Sequence, residues 1–311
     1  MYLVTGGAGF IGSHIVDALV KRGHPVRVID NFCAGKIENL KDILNKIDLI
    51  RGDIRDFRTV RRAMRGIKYV LHHAALRSVP KSVDNPEEFN EVNVRGTLNL
   101  LLAARPARVN RFVFASSSSV YGATTRFPEK ESFVPQPISP YAATKLMGEI
   151  YCQLFTQLYG VPTVSLRYFN VFGPRQSLEN QYAVVVPKFI TCLLENQPPP
   201  IHGDGKQSRD FTYIDNVVSA NLLALKAPSS ALGQFFNVAG GRAYTVLELV
   251  RQLNRLMGKN IKPVFTPPRP GDVRHTRADI TRVRQYLGFR MKIDFVEGLK
   301  KTIVWFRKEY A

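Results

Sequence analysis

Tyr2-Leu3-Val4-Thr5-Gly6-Gly7-Ala8-Gly9-Phe10-Ile11-Gly12 opens the chain and decides how it folds. Tyr2 to Thr5 is a short β-type run, and the glycines follow at once. From Ser13 to Lys21 the apolar residues Ile15, Leu19 and Val20 take helical spacing, and Gly23 supplies a stop. Pro25-Val26-Arg27-Val28-Ile29 reads as a second strand that ends at Asp30. Strand, glycine turn, helix, strand and acid stand in the order a dinucleotide site requires, with Gly7, Gly9 and Gly12 as G-x-G-x-x-G. The glycines let backbone approach a pyrophosphate, whose charge sits at the helix N-terminus. A carboxylate at Asp30 suits the adenosine ribose and repels a 2′-phosphate, so NAD is expected rather than NADP.

The alternation continues outward. Residues 48–51 read as a strand leading to Gly52-Asp53-Ile54, and 57–65 as a helix. Residues 69–73 form a strand followed by Ala74-Ala75-Leu76; 89–104 form a helix containing Asn93. His72 and His73 are adjacent and point to opposite faces of their strand, so they are core or strand-edge residues and no metal site is expected. Residues 112–115 are a strand ending in Ser116-Ser117-Ser118-Ser119-Val120-Tyr121-Gly122. Repeated units of this length imply an α/β chain with a doubly wound parallel sheet of Rossmann type. After the strand at 163–167 the pattern becomes irregular. The expected organisation is an NAD-binding domain over 1–168, which the chain re-enters near 212–240, and a smaller C-terminal α/β substrate lobe over 169–311. In such sheets ligands bind beyond the carboxyl ends of strands. The glycine turn, Asp30, Asp53, Ala74 and the serine run all fall there.

So does Ser139-Pro140-Tyr141-Ala142-Ala143-Thr144-Lys145. Helical spacing after Pro140 places Tyr141 and Lys145 on one face. An ammonium beside a phenol favours the phenolate, which would make Tyr141 an acid/base near neutral pH. A Tyr-x-x-x-Lys pair alone is common by chance. Its position beyond the sheet gives it meaning, and that position also makes one hydroxyl of the serine run a partner of the substrate or of the tyrosine.

The 311 residues are 45% hydrophobic, ample for a large core. No apolar run approaches the ~20 residues that cross a membrane. The start at Met1 runs straight into a strand without a leader, and Cys33, Cys152 and Cys192 fit neither a disulfide framework nor a zinc spacing. A cytoplasmic protein is expected, with no membrane partner. The net charge of +19 suits nucleic acid, an anionic surface or an anionic small substrate. No helix-turn-helix, zinc-finger or aromatic RNA-binding signature accompanies it, so no nucleic-acid partner is expected.

Taken together the motifs resemble the extended short-chain dehydrogenase/reductases, and more closely the UDP-hexose 4-epimerases. The resemblance is carried by the stretch 5–13, Asp30-Asn31, Gly52-Asp53-Ile54, the run 116–122 and Ser139-Pro140-Tyr141 with Lys145. It continues through Arg167-Tyr168-Phe169-Asn170-Val171-Phe172-Gly173-Pro174, Ser208-Arg209-Asp210-Phe211 and Arg269-Pro270-Gly271-Asp272, over nearly the whole chain. It implies Tyr141 as catalytic base, Lys145 as the group that lowers its pKa and holds the nicotinamide ribose, and Ser117 as the catalytic hydroxyl. It implies cofactor contacts at Gly6, Gly9, Phe10, Ile11, Gly12, Asp30, Asn31, Asp53, Ile54, Ala74, Ala75, Arg77, Asn93, Tyr168 and Val171. Asn170, Val185, Arg209, Arg269 and Asp272 fall where the family grips UDP. Ser78, Lys81, Ser117, Ser118, His202 and Thr276 complete the substrate contacts. The implied reaction uses one tightly held NAD, which takes a hydride from C4 and returns it to the opposite face of a 4-keto sugar. A homodimer through the helices near 89–104 and 141–159 is implied as well.

Two features bear on the sugar. Ser78-Val79-Pro80 resembles the stretch in epimerases of N-acetylated sugars, and Thr276 aligns where glucose-restricted relatives carry tyrosine. UDP-GlcNAc and UDP-GalNAc are therefore expected, with UDP-Glc and UDP-Gal also accepted. The rivals are a UDP-glucuronate epimerase or decarboxylase on the same scaffold, and a non-catalytic NAD-binding regulator. A 4,6-dehydratase would need an Asp-Glu pair beside the serine run, where Ser117-Ser118-Ser119 carry no carboxylate.

Overall fold

A computed structural model describes residues 1–177, 185–268 and 273–309. Its strands are β1 (Tyr2–Thr5), β2 (Val26–Asp30), β3 (Ile47–Arg51), β4 (Tyr69–His72), β5 (Arg111–Ser117) and β6 (Thr163–Tyr168). The short β7 (Val171–Phe172), β8 (Pro200–His202), β9 (Ser208–Asp210) and β10 (Thr212–Tyr213) follow. β11 (Gln234–Val238), β12 (Ala243–Thr245) and β13 (Val264–Thr266) complete the set among the described residues.

Seven strands form one sheet in the order β11-β6-β5-β4-β1-β2-β3. Each adjacent pair is parallel, with Thr5 opposite Ile29 on one side and His72 on the other. The strands are apolar on both sides, as a parallel sheet covered by helices requires. Val4, Val28, Leu71 and Val113 face one core, which the helices Phe10–Val20 and Ile214–Ala224 cover. Leu3, Ile29, Val70 and Phe112 face the other, beneath Phe57–Ala63, Gly96–Ala107 and Pro140–Tyr159. The chain runs from β1 outward to β3 and then crosses back to β4, on the far side of β1. A crevice opens where the direction reverses, at the carboxyl ends of the strands.

The Pro140–Tyr159 helix carries the tyrosine. Ser139 caps it, its Oγ accepting from Ala142 N at 3.2 Å, and Pro140 takes the first turn, where no N–H is needed. A β-carbon at Gly148 would stand 2.2 Å from the Phe114 ring. Only glycine lets this helix lie so close to β5, and that closeness brings Lys145 down onto the sheet end.

The stretch expected as one helix over 89–104 is instead Pro86–Phe89, a wide π turn at Asn90–Arg95, and Gly96–Ala107. The π turn carries Asn93, whose amide clamps two neighbours: Leu76 N donates to its Oδ1, and its Nδ2 donates to Leu76 O and Thr144 Oγ1. These tertiary bonds favour a turn geometry that periodicity does not reveal.

Beyond β6 the chain builds a second layer. β9 pairs antiparallel with β12, and β8 pairs with β13. The helix Val246–Met257, opened by a Thr245–Glu248 capping box, packs with Val185–Leu194 and Phe295–Glu309. Between these pieces the chain returns to the main sheet, where β11 pairs parallel with β6.

Candidate functional site

One cleft at the carboxyl ends of the strands gathers most of the expected residues. Gly6, Gly9, Phe10, Ile11, Gly12, Asp30, Asn31, Asp53, Ile54, Ala74, Ala75, Arg77, Tyr141, Lys145 and Tyr168 all line it. The helix Phe10–Val20 starts at Gly9 with no side-chain cap and no acid in its first turn. Its free N–H groups and positive dipole end therefore face the cleft, as a pyrophosphate requires.

The acids beyond it are held by protein donors. Asp30 Oδ2 accepts from Ala8 N and Oδ1 from Phe32 N, both at 2.9 Å. Burial raises its pKa and these two bonds pull it back. Asp53 is held by Arg55 at 2.8 Å and by Asn31 Nδ2 at 2.9 Å, and the Arg55 bonds lower its pKa to about 2. Arg55, Cys33, Glu88 and Ser116 also line the cleft, and the sequence reading did not single them out as site residues. Arg55 had a signal, standing two residues after Asp53; Glu88 had none, because the turn that brings it in is tertiary.

The tyrosine centre lies at the end of β5. The Ser117 hydroxyl and the Arg77 charge both act to lower the Tyr141 pKa. Lys145 Nζ donates to Ala115 O at 2.9 Å and stands 6.0 Å from the Tyr141 ring centroid. One expectation needs correction here. Burial raises the Tyr141 pKa above its ordinary value, and the groups that pull it back are Ser117 and Arg77 rather than Lys145. Lys145 itself is pushed down to about 8 by the same burial, partly offset by Glu149 one turn further along the helix. Burial is the largest influence on both groups.

Behind the centre, Glu149 accepts from Arg167 Nη2 at 2.7 Å and Nε at 2.8 Å, with both side chains almost wholly out of water. Ser116 Oγ donates to the same carboxylate. A bidentate buried pair of this kind holds the helix to β6 in one register. His72 bridges Thr5 Oγ1 and Thr97 Oγ1, and His73 meets Asn221 Oδ1 at 3.2 Å. Burial pushes both pKa values down, that of His73 to about 3, so both rings are neutral spacers.

The remaining expected residues divide. Asn93 is 2% exposed, its amide spent on Leu76 and Thr144, so it supports the cleft wall rather than facing the cavity. Val171 is half-buried in β7 and is not among the cleft-lining residues. Ser78 Oγ accepts from Lys81 N at 3.3 Å and caps the helix Val79–Asp84, leaving Lys81 exposed. Ser118 is half-buried beside Ser117. Asn170 is exposed, in the left-handed region at φ 28°, and its Oδ1 accepts from Thr276 Oγ1 at 3.2 Å. Asp210 N donates to that same Thr276 hydroxyl at 3.3 Å. His202 Nδ1 lies 2.7 Å from Thr266 Oγ1, and Arg209 donates to Ser208 O and Arg274 O. Val185 begins the helix Val185–Leu194. Arg269 and Asp272 lie outside the described residues.

Residues 2–239 match the NAD dependent epimerase/dehydratase family. The UDP-glucose 4-epimerase of Mycolicibacterium smegmatis is 40% identical over 311 residues, covering 99% of this chain and 98% of the relative. The solved UDP-N-acetylglucosamine 4-epimerase of Methanobrevibacter ruminantium M1, in complex with UDP-N-acetylmuramic acid, matches with a TM-score of 0.95 at 40% identity, over 99% of this chain and 98% of that one. The UDP-glucose 4-epimerase of Thermus thermophilus, solved with NAD, matches with a TM-score of 0.89 at 39% identity, over 98% of each chain.

Proposed function

The chain belongs to the NAD dependent epimerase/dehydratase family, and we propose that within it the protein inverts C4 of UDP-GlcNAc and UDP-GalNAc, accepting UDP-Glc and UDP-Gal as well. It is an enzyme of the UDP-sugar 4-epimerase type and works with NAD. The observation that carries the reading is that Tyr141 and Lys145, at the end of β5, line the same cleft as the glycine turn, with Lys145 fixed on Ala115 O.

The cleft fits the cofactor. The uncapped helix end suits its pyrophosphate, Asp30 its adenosine ribose, and Asn31, Asp53 and Ile54 the adenine side. When bound, NAD supplies reversible hydride exchange with a sugar carbon. The protein's part is proton transfer and positioning. The Tyr141 oxygen takes the proton of the sugar 4-hydroxyl and later returns it. Ser117 steadies the charge on that oxygen, and Arg77 adds to the field. Lys145, fixed by Ala115 O, presents a donor to the nicotinamide ribose. Asn170, Val185, Arg209, Arg269 and Asp272 would clamp the UDP so that the keto sugar turns over without leaving; Ser78, Lys81, Ser118 and His202 would border the sugar nucleotide.

Thr276 supports the preference for acetamido sugars. Its side chain is small, and its hydroxyl is turned onto Asn170. A homodimer is part of the same proposal. Met147, Ile150, Leu154 and Leu158 form a helical stripe that is 42, 41, 39 and 67% exposed, and Leu102 on the Gly96–Ala107 helix is 44% exposed. A second copy of this stripe would cover it. Three cysteines, free in the described structure, suit a reducing cytoplasm. No helix among the described residues is long and apolar enough to cross a membrane.

Side-by-side assays of UDP-GlcNAc, UDP-Glc and UDP-glucuronate test the reading. Interconversion of the acetamido pair is expected; turnover of the glucuronate alone, or of none of the three, would overturn it.

A further inference from the structure

We propose that Arg55 holds the adenine of NAD by stacking its guanidinium on the base, and that Asp53 is a positioning residue that fixes Arg55 rather than binding adenine itself. This rests on the reading of the cleft as the NAD site. The sheet order fixes where adenine must lie. The helix end that suits the pyrophosphate follows β1, Asp30 ends β2 and suits the ribose, and β3 is the next strand outward, at the edge of the sheet. The base therefore falls beyond β3, where Gly52, Asp53, Ile54 and Arg55 line the cleft.

Asp53 has nothing left to offer a base. A carboxylate has about four lone-pair sites. Its Oδ1 accepts from Arg55 N at 2.8 Å and Arg55 Nε at 3.0 Å; its Oδ2 accepts from Arg55 Nη2 at 2.8 Å and Asn31 Nδ2 at 2.9 Å. The 6-amino group of adenine would have to displace one of these donors. Ile54 is no platform either. Its side chain is 4% exposed and packs under the Gly96–Ala107 helix, where a β-carbon on Gly96 would stand 2.4 Å from Cδ1. Arg55 differs from both. Its side chain is 45% exposed and lines the cleft. The two-pronged bond to Asp53 takes one edge of the guanidinium, locks its plane and leaves its faces uncovered by that bond. Buried Asn99 donates through Nδ2 to Ile54 O at 3.0 Å and Arg55 O at 2.9 Å, so the backbone under the side chain is fixed as well. A fixed, flat cation is a stacking surface for a purine.

The test is release of dinucleotide, with no sugar substrate present. Each protein is loaded with NAD or with nicotinamide hypoxanthine dinucleotide, which lacks the 6-amino group, and release into an excess of ADP-ribose is timed. Arg55→Ala should release NAD about tenfold faster than wild type, the usual worth of a base stacked on a side chain. Arg55→Lys keeps the charge but has no plane, so it should release NAD nearly as fast as the Ala variant. Asp53→Asn should loosen both dinucleotides by the same factor, because it acts through Arg55. Release at the wild-type rate from Arg55→Ala, or a Lys variant that holds NAD as wild type does, would overturn the stacking role. A loosening in Asp53→Asn confined to NAD would show that Asp53 reads the amine directly, and would overturn its assignment. A wild type that takes up neither dinucleotide overturns the reading of the cleft instead. One that holds NAD but turns over no UDP-sugar ends the epimerase reading, and the release rates still decide the role of Arg55.

Discussion

A β-carbon on Gly12 would stand 2.1 Å from the carbonyl oxygen of Gly6. The first turn of the Phe10–Val20 helix is thus pressed against the end of β1, and that contact sets the height of the free N–H groups above the cleft. No rotamer relieves a clash between a β-carbon and backbone. Gly12→Ala should destabilise the fold by about 1–3 kcal/mol and leave the purified protein with little NAD. Cofactor content and thermal denaturation measure this; full NAD content would show that the close approach is not needed for binding.

Tyr141→Phe removes one oxygen and keeps the ring that packs edge-on to Phe89 at 6.5 Å between centroids. Bound NAD should be retained. The rate should fall by about 10²–10⁴-fold, the usual worth of a positioned acid/base. Steady-state assays decide it, and a Phe variant near wild-type rate would remove Tyr141 from the chemistry.

Thr276 is 9% exposed, with its hydroxyl engaged on both sides. Thr276→Tyr adds a ring near Asn170 and breaks that link. It should depress UDP-GlcNAc turnover more than UDP-Glc turnover, read as the ratio of kcat/KM for the two sugars. An unchanged ratio would show that this position sets no preference.

Glu129 is 1% exposed, its Oε2 accepts from Arg277 N at 3.1 Å, and burial together with nearby Asp210 raises its pKa from 4.5 to about 8. The sign is fixed by linkage. The folded state holds a proton that the unfolded state has released, so this group's contribution to stability is full below pH 4.5 and is lost progressively as pH rises to about 8. Glu129→Gln cannot ionise. Its Tm should fall less than that of wild type between those limits, and parallel curves for the two proteins would refute the assignment.

Leu154, 39% exposed, lies in the middle of the stripe on the Pro140–Tyr159 helix. Leu154→Glu would put a charge into a dimer core, where burial without a partner is costly. Sedimentation should find wild-type dimers and variant monomers. A wild type that is already monomeric ends the dimer proposal.

Much of the site could be read before any coordinates. The glycine spacing, the acid at Asp30 and the four-residue step from Tyr141 to Lys145 are local patterns, and local geometry alone puts each on a turn, a strand end or one helix face. The return of β11 to the sheet left only a weak trace, and the π turn at Asn90–Arg95 left none, because both answer to partners far along the chain. Thr276 could be aligned, but its bond to Asn170 spans 106 residues and has no signature in either stretch.

By itself the sequence determined the doubly wound sheet, the glycine turn and the four-residue step that sets Tyr141 and Lys145 on one helix face, since these follow from periodicity and spacing over a few residues. Tertiary structure alone decided how burial and charge act on the site: that burial raises rather than lowers the Tyr141 pKa, that Arg77 and Ser117 oppose the rise, and that Ser119 closes a hydrogen bond onto Ser117. The reason is physical. Desolvation and hydrogen-bond direction are sums over everything packed around an atom, and no short stretch of sequence contains that sum.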